Sequence, residues 1–134
     1  MKPLIFLFLC IALCTGCSKS DHHIQEATYT GTFQRTGSLA AGPAVNVTLT
    51  LKEGKFNGGK TDTDGYSKYP SICEGNYSIT QDSIRFENTC AFTAEFDWTL
   101  ILSGTYTFQL QHDSLVIWRG NAQSTDIYKL AKKQ

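Results

Sequence analysis

The sequence predicts an all-β domain, an antiparallel barrel or sandwich of about eight strands. Three observations predict it: beyond residue 26 no apolar period of 3.6 runs for three turns, apolar and polar residues alternate in run after run, and turn-forming residues separate the runs. Of the 134 residues, 41% are hydrophobic and 18% charged, enough to build the core of one domain. Twelve Lys plus Arg balance twelve Asp plus Glu. That neutrality argues against nucleic acid as a partner, because a nucleic-acid binder carries a basic face.

The chain opens with Lys2 and an apolar run, Leu4 to Leu13, of ten residues. A bilayer span needs about 20 residues, so the run fits the apolar centre of a secretory signal peptide. It ends in Cys14-Thr15-Gly16-Cys17. This ending resembles the lipobox of bacterial lipoproteins, with Cys14 where that family usually has Leu, Val or Ile. The plainer alternative is an ordinary signal peptide cut near Gly16. The resemblance implies a lipoprotein signal peptide over residues 1–16 and lipidation of Cys17 by a diacylglycerol thioether and an N-acyl chain such as palmitate. It also implies that the membrane is a partner through this anchor. Residues 17–26, including Ser18-Lys19-Ser20-Asp21-His22-His23, are polar and read as a tether. In that family an Asp after the lipidated Cys retains the protein at the inner membrane. Ser18 stands there instead, which points to the outer membrane of a bacterial cell envelope.

The domain proper spans 27–131. Its strands are expected at Thr28 to Gln34, Val45 to Leu51, around Phe56, Ile72 to Thr80, Ser83 to Glu87, Thr99 to Leu110, Ser114 to Arg119 and Thr125 to Leu130. The second is the clearest, with Val45, Val47, Leu49 and Leu51 alternating with Asn46, Thr48 and Thr50. The sixth alternates Leu100, Leu102, Gly104, Tyr106, Phe108 and Leu110 with polar residues and Ile101. Gly75 to Phe86 and Gly104 to Ile117 repeat one hairpin plan about thirty residues apart, which suggests an up-and-down meander.

Hairpin arithmetic places the cysteines. With Gln81 and Asp82 as a two-residue tip, Ile79 faces Ile84, Tyr77 faces Phe86 and Cys73 faces Cys90, all on one strand face. Such non-hydrogen-bonded pairs have Cα atoms about 4.5 Å apart, at the short end of disulfide geometry. An exported chain would keep that bond; the alternative is two buried thiols. With His112 and Asp113 at the second tip, Leu110 faces Leu115, Phe108 faces Ile117 and Tyr106 faces Arg119. The Arg119 guanidinium then either stacks on a ring and caps one barrel end or lies beyond the rim in solvent.

Gly31-Thr32-Phe33 in the first strand, the meander and the size together resemble lipocalin-like barrels. Lipocalins carry Gly-x-Trp there, with a late Arg on the Trp; here Phe33 replaces Trp and Arg119 is the candidate Arg. The opening Tyr29-Thr30-Gly31-Thr32 and the strand Thr48 to Leu51 are also similar to the N-terminal barrel of envelope-stress and copper-resistance lipoproteins. That family places Cys-x-x-Cys between the two, where this chain has Thr36-Gly37-Ser38-Leu39-Ala40, so copper and redox roles do not carry over. The resemblance implies a small lipocalin-like β-barrel of about eight strands.

Catalytic chemistry is hard to place. His112-Asp113-Ser114 holds triad residue types as chain neighbours, whereas a triad converges from separate places. His22 and His23 are two ligands, too few for a metal site. Asp62-Thr63-Asp64-Gly65 opens like a calcium loop but has Ser67 at position six and Cys73 at position twelve. No enzyme, cofactor or metal is therefore expected. Asp82-Ser83-Ile84 and Asp113-Ser114-Leu115 resemble bacterial O-glycosylation sites, although Asp and Ser favour turns in any case. Two functions remain. One is a binding domain for a small lipophilic or amphipathic ligand, with Tyr106, Arg119, Phe92 and Trp98 as candidate lining and Asn88 to Trp98 as a cover. The other is a solid scaffold that meets an envelope protein partner.

Overall fold

A computed structural model describes residues 23–37, 40–61 and 70–134. Eight strands follow one another as an antiparallel meander and close into a barrel: β1 (Ala27–Gly37), β2 (Val45–Lys52), β3 (Lys55–Lys60), β4 (Cys73–Ile79), β5 (Ser83–Asn88), β6 (Gly104–Gln111), β7 (Ser114–Gly120) and β8 (Ser124–Lys132). Residues 1–22, where a leader, the lipidated Cys17 and the first part of a tether are expected, lie outside the described residues, as does Asp62-Thr63-Asp64-Gly65.

Strand parity decides what is inside. On β2, Val45, Val47, Leu49 and Leu51 are buried and the residues between them face outward. A chain of rings crosses the interior: Phe56 meets Phe86 at 5.1 Å, Phe86 meets Tyr106 at 5.8 Å, Tyr106 meets Tyr128 at 6.1 Å and Tyr128 meets Phe33 at 4.7 Å. Leu49, Ile84, Leu115 and Ile117, all fully buried, fill the space around them. This lumen is packed with side chains, as a barrel of eight strands permits. At inward Gly31 and Gly75 the neighbouring strand leaves no room for a side chain. A Cβ on Gly31 would sit 2.0 Å from the Lys129 carbonyl oxygen, and one on Gly75 would sit 2.0 Å from that of Glu87. The strands press together there more closely than any side chain allows.

The two barrel ends differ. The base carries the tight hairpins, with Glu53 and Gly54 between β2 and β3 at φ 51° and 72°, the left-handed pair that two-residue hairpins favour. Both predicted registers hold: Ile79 pairs with Ile84, Tyr77 with Phe86, Leu110 with Leu115 and Phe108 with Ile117. Ile24, within the segment read as tether, is 2% exposed in the core at this end. Gln25 accepts from the Tyr29 hydroxyl at 2.8 Å, and Glu26 accepts from the Glu53 amide at 2.8 Å. At the opposite end, the mouth, lie the described parts of the long connections after β1, β3 and β5, residues 40–44, 61 with 70–72, and 89–103.

Two sequence expectations are corrected at the mouth. The strand expected over Thr99 to Leu110 begins only at Gly104. Before it, Trp98–Leu100 form a 3-10 turn whose N-cap is Asp97, and Leu100, Ile101 and Leu102 are all buried. Three consecutive buried residues cannot belong to a two-faced strand. Ser71 brackets them, donating to the Leu100 carbonyl at 3.0 Å and accepting from the Leu102 amide at 2.8 Å. Gly104, at φ 92°, then turns the chain into β6. The Cys73–Cys90 disulfide is present, but its Cα atoms are 6.4 Å apart rather than at the spacing of a directly opposed pair. β5 stops at Asn88, and Cys73 adopts a left-handed φ of 52°. The Asn88 side chain holds this junction by donating to the Ile72 carbonyl at 2.7 Å and accepting from the Cys90 amide at 3.0 Å.

Candidate functional site

The inward row of β1 continues from Tyr29 and Phe33 to Arg35, that of β7 from Leu115 and Ile117 to Arg119, and that of β8 begins with Asp126. The register sets Arg35 opposite Asp126 and Asp126 opposite Arg119. Three adjacent strands thus end in a row of two guanidiniums about one carboxylate. Asp126 is 5% exposed, and a carboxylate so buried needs ionic partners. Arg35 supplies two donors in fork geometry, Nε to Oδ1 at 2.6 Å and Nη2 to Oδ2 at 2.8 Å. Arg119 Nη2 lies 3.5 Å from Oδ2.

The remaining donors pin the 97–103 segment onto the barrel. Arg35 Nη2 and Arg119 Nη2 both donate to the Thr99 carbonyl, at 2.8 and 3.3 Å. Arg119 Nη1 donates to the Ser103 carbonyl, and Arg35 Nη1 donates to Thr99 Oγ1 at 2.8 Å. Thr99 Oγ1 in turn donates to Asp97 at 2.6 Å. Arg119 also lies over the Tyr106 ring, 4.6 Å from its centroid. Burial pushes the Tyr106 hydroxyl up to about 12, with Arg119 acting in the opposite direction. Desolvation raises Tyr128 well above the ordinary tyrosine value.

Beside this clamp opens a cleft of about 560 Å3, lined by Arg35, Trp98, Ile101, Ser103, Arg119 and Asn121 among others. Trp98 is 60% exposed, while Ile101 gives the cleft a buried apolar edge. Of the residues singled out from sequence, Trp98 and Arg119 line the cleft. Tyr106 lies beneath Arg119, fully buried. Phe92 packs on Phe96 at 5.1 Å and on Trp98 at 6.0 Å, supporting the indole from the side. Sequence reasoning missed Arg35 and Asp126, although each sits on the inward parity of its strand.

Other candidates stand apart from the cleft. His112, Asp82-Ser83 and Asp113-Ser114 are all at base hairpins. The Ser83 hydroxyl is engaged with Thr80, whereas Ser114 is exposed. Among the described residues no cluster of three or more His, Cys, Asp or Glu is arranged to hold a metal ion. No family model, curated protein or solved structure matches this chain. Its fold is that of a small eight-stranded barrel and fits a lipocalin-like scaffold.

Proposed function

We propose that the protein is a lipid-anchored envelope protein that takes a small amphipathic molecule in the mouth cleft, not in the lumen. The observation that carries this reading is the cleft's mixed lining, Trp98 and Ile101 beside Arg35 and Arg119 in about 560 Å3. That size lies within the few hundred to about 1,000 Å3 typical of small-molecule sites. An indole and an aliphatic edge would take the apolar part of the ligand. The rim donors of Arg119, whose side chain is 34% exposed, would orient the polar part. Support for the anchor comes from the apolar leader and from Thr15-Gly16-Cys17.

The ring-filled lumen favours a second reading, a solid scaffold that offers its mouth to a protein partner. One titration separates the two. Adding fatty acids and small lipophiles should change tryptophan emission saturably, and Trp98→Phe should remove most of that change, leaving the contribution of Trp118. A flat response across the panel discards the ligand reading and leaves the scaffold. For the anchor, Cys17→Ser should shift the protein out of the membrane fraction of cells; a mutant that fractionates like wild type rules lipidation out.

A further inference from the structure

We infer that the base of the barrel is a lipid-facing surface, seated on the bilayer that holds the anchor, with the mouth cleft turned away from it. The inference rests on the proposed lipidation of Cys17.

The first observation is a rim. Six partly buried apolar residues pack at the edge of the core: Ala27, Tyr77, Ile79, Phe96, Phe108 and Leu110. All but Phe96 sit at the base. They occupy inward positions of β1, β4 and β6, yet their outer ends are incompletely covered, because β6 runs past the β4–β5 hairpin. The Phe108 amide already bonds the Asp82 carbonyl at that hairpin's tip, at 3.2 Å, and Leu110 lies beyond it. Apolar side chains at the open end of a barrel face either water or another apolar phase.

The second observation is where the chain enters. Ile24 is fixed in the core at this same end, and only seven residue steps separate it from Cys17. Fully extended, seven residues reach about 25 Å. β1 has 11 residues, and at the rise and tilt of barrel strands its ten steps make the wall about 25 Å high. A tether starting at the base would have to run fully extended along the wall to bring Cys17 level with the mouth. Any less extended, it holds the base at the bilayer and leaves the cleft open to the aqueous side.

The base is also neutral as a surface. Lys52, Lys55, Lys132 and Lys133 are matched by Glu26, Glu53, Asp82 and Asp113. Contact with lipid would thus rest on apolar seating and would need no anionic headgroups, in contrast to polybasic anchoring.

The test uses the full-length lipidated protein in vesicles of phosphatidylcholine, part of it brominated on the acyl chains. In a Trp98→Phe, Trp118→Phe background, a single reporter is placed at the rim (Leu110→Trp), beside it on the exposed outer face (Gln111→Trp), or at the mouth (Gln123→Trp). The base reporters should be quenched several-fold more strongly than the mouth reporter. The Gln111 variant keeps the test decisive if the rim substitution disturbs folding. Protein that floats with vesicles while base and mouth reporters are quenched alike, or not at all, overturns the seating and leaves the anchor intact. Protein that does not float overturns the anchor, and the seating with it.

Discussion

The mouth and the base of this barrel use opposite chemistry for the same task, finishing a cylinder of side chains. At the mouth the inward rows of β1, β7 and β8 end in charge, and the Arg35–Asp126–Arg119 row fastens a long connection across the opening. At the base the inward rows end in Ile79, Leu110 and neighbouring apolar groups, with Ile24 as the plug. Ionic and hydrogen-bonded closure is directional, so it can fix Thr99 and Ser103 at set positions beside a cleft. Apolar closure is non-directional and leaves a rim able to adapt to a second apolar phase. Each end's chemistry suits the role proposed for it.

The contrast breaks most sharply at Asp126. Asp126→Ala leaves two guanidiniums facing one another without their shared carboxylate, and stability measured by urea unfolding should fall by about 3–4 kcal/mol. Amide exchange at Leu102 and neighbouring mouth residues should accelerate before that of β4 and β5. A loss below about 1 kcal/mol would mean that the mouth is held by its apolar contacts. Next comes the base plug. Ile24→Ala should cost about 2–3 kcal/mol for a buried side chain, and this loss should be insensitive to salt. If the variant unfolds like wild type, Ile24 is not part of the closure.

Alkaline pH sharpens the comparison with a smaller effect. Tyr106 titrates near 12 when folded against 10 for an ordinary tyrosine. Its folded pKa is raised, so its contribution is complete below pH 10 and disappears as pH rises through 12. By linkage the loss at pH 12 is about 2 kcal/mol. Phenolate absorbance should show Tyr106 and Tyr128 titrating after the other tyrosines. Their ionisation near pH 10 in the folded protein would contradict their burial beneath the clamp.

Much of this was legible from the sequence, for local reasons. A two-residue tip fixes the pairing of the strands beside it, so Leu110–Leu115 and Ile79–Ile84 follow from counting. Alternation fails where burial no longer depends on a strand. Leu100 and Leu102 read as one face, but Ile101 is buried as well, in a stretch held by backbone bonds to Ser71 from a connection far away in sequence. The clamp was half legible. Counting set Arg119 opposite Tyr106 and left both stacking and solvent open, a choice the structure decides for stacking; the same parity applied to Phe33 and Tyr128 puts Arg35 and Asp126 inward. That Arg35 and Asp126 meet depends on a ladder joining residues 91 apart, and no turn connects those strands to define their register. For the same reason alternation alone could not choose between barrel and sandwich.

That ladder has a consequence for how the molecule comes into being. β1 and β8 pair over nine positions, from Tyr29–Lys132 to Gly37–Ser124, and β8 is the last strand of the described chain. In a chain delivered N-terminus first, from a ribosome or through a membrane pore, β1 to β7 can assemble hairpin by hairpin from neighbouring segments. The cylinder itself waits for the final strand. Until then β1 is an open edge, with Gly31 ready for a close neighbour and a row of unpaired amides, the state in which sheets are most prone to pair wrongly. Closure between strands so distant in sequence carries the largest loop entropy of any pairing in the fold. The nascent chain therefore stays pliable while it is being threaded and acquires its buried Arg35–Asp126 pair in one late step, the same step that removes its last free edge.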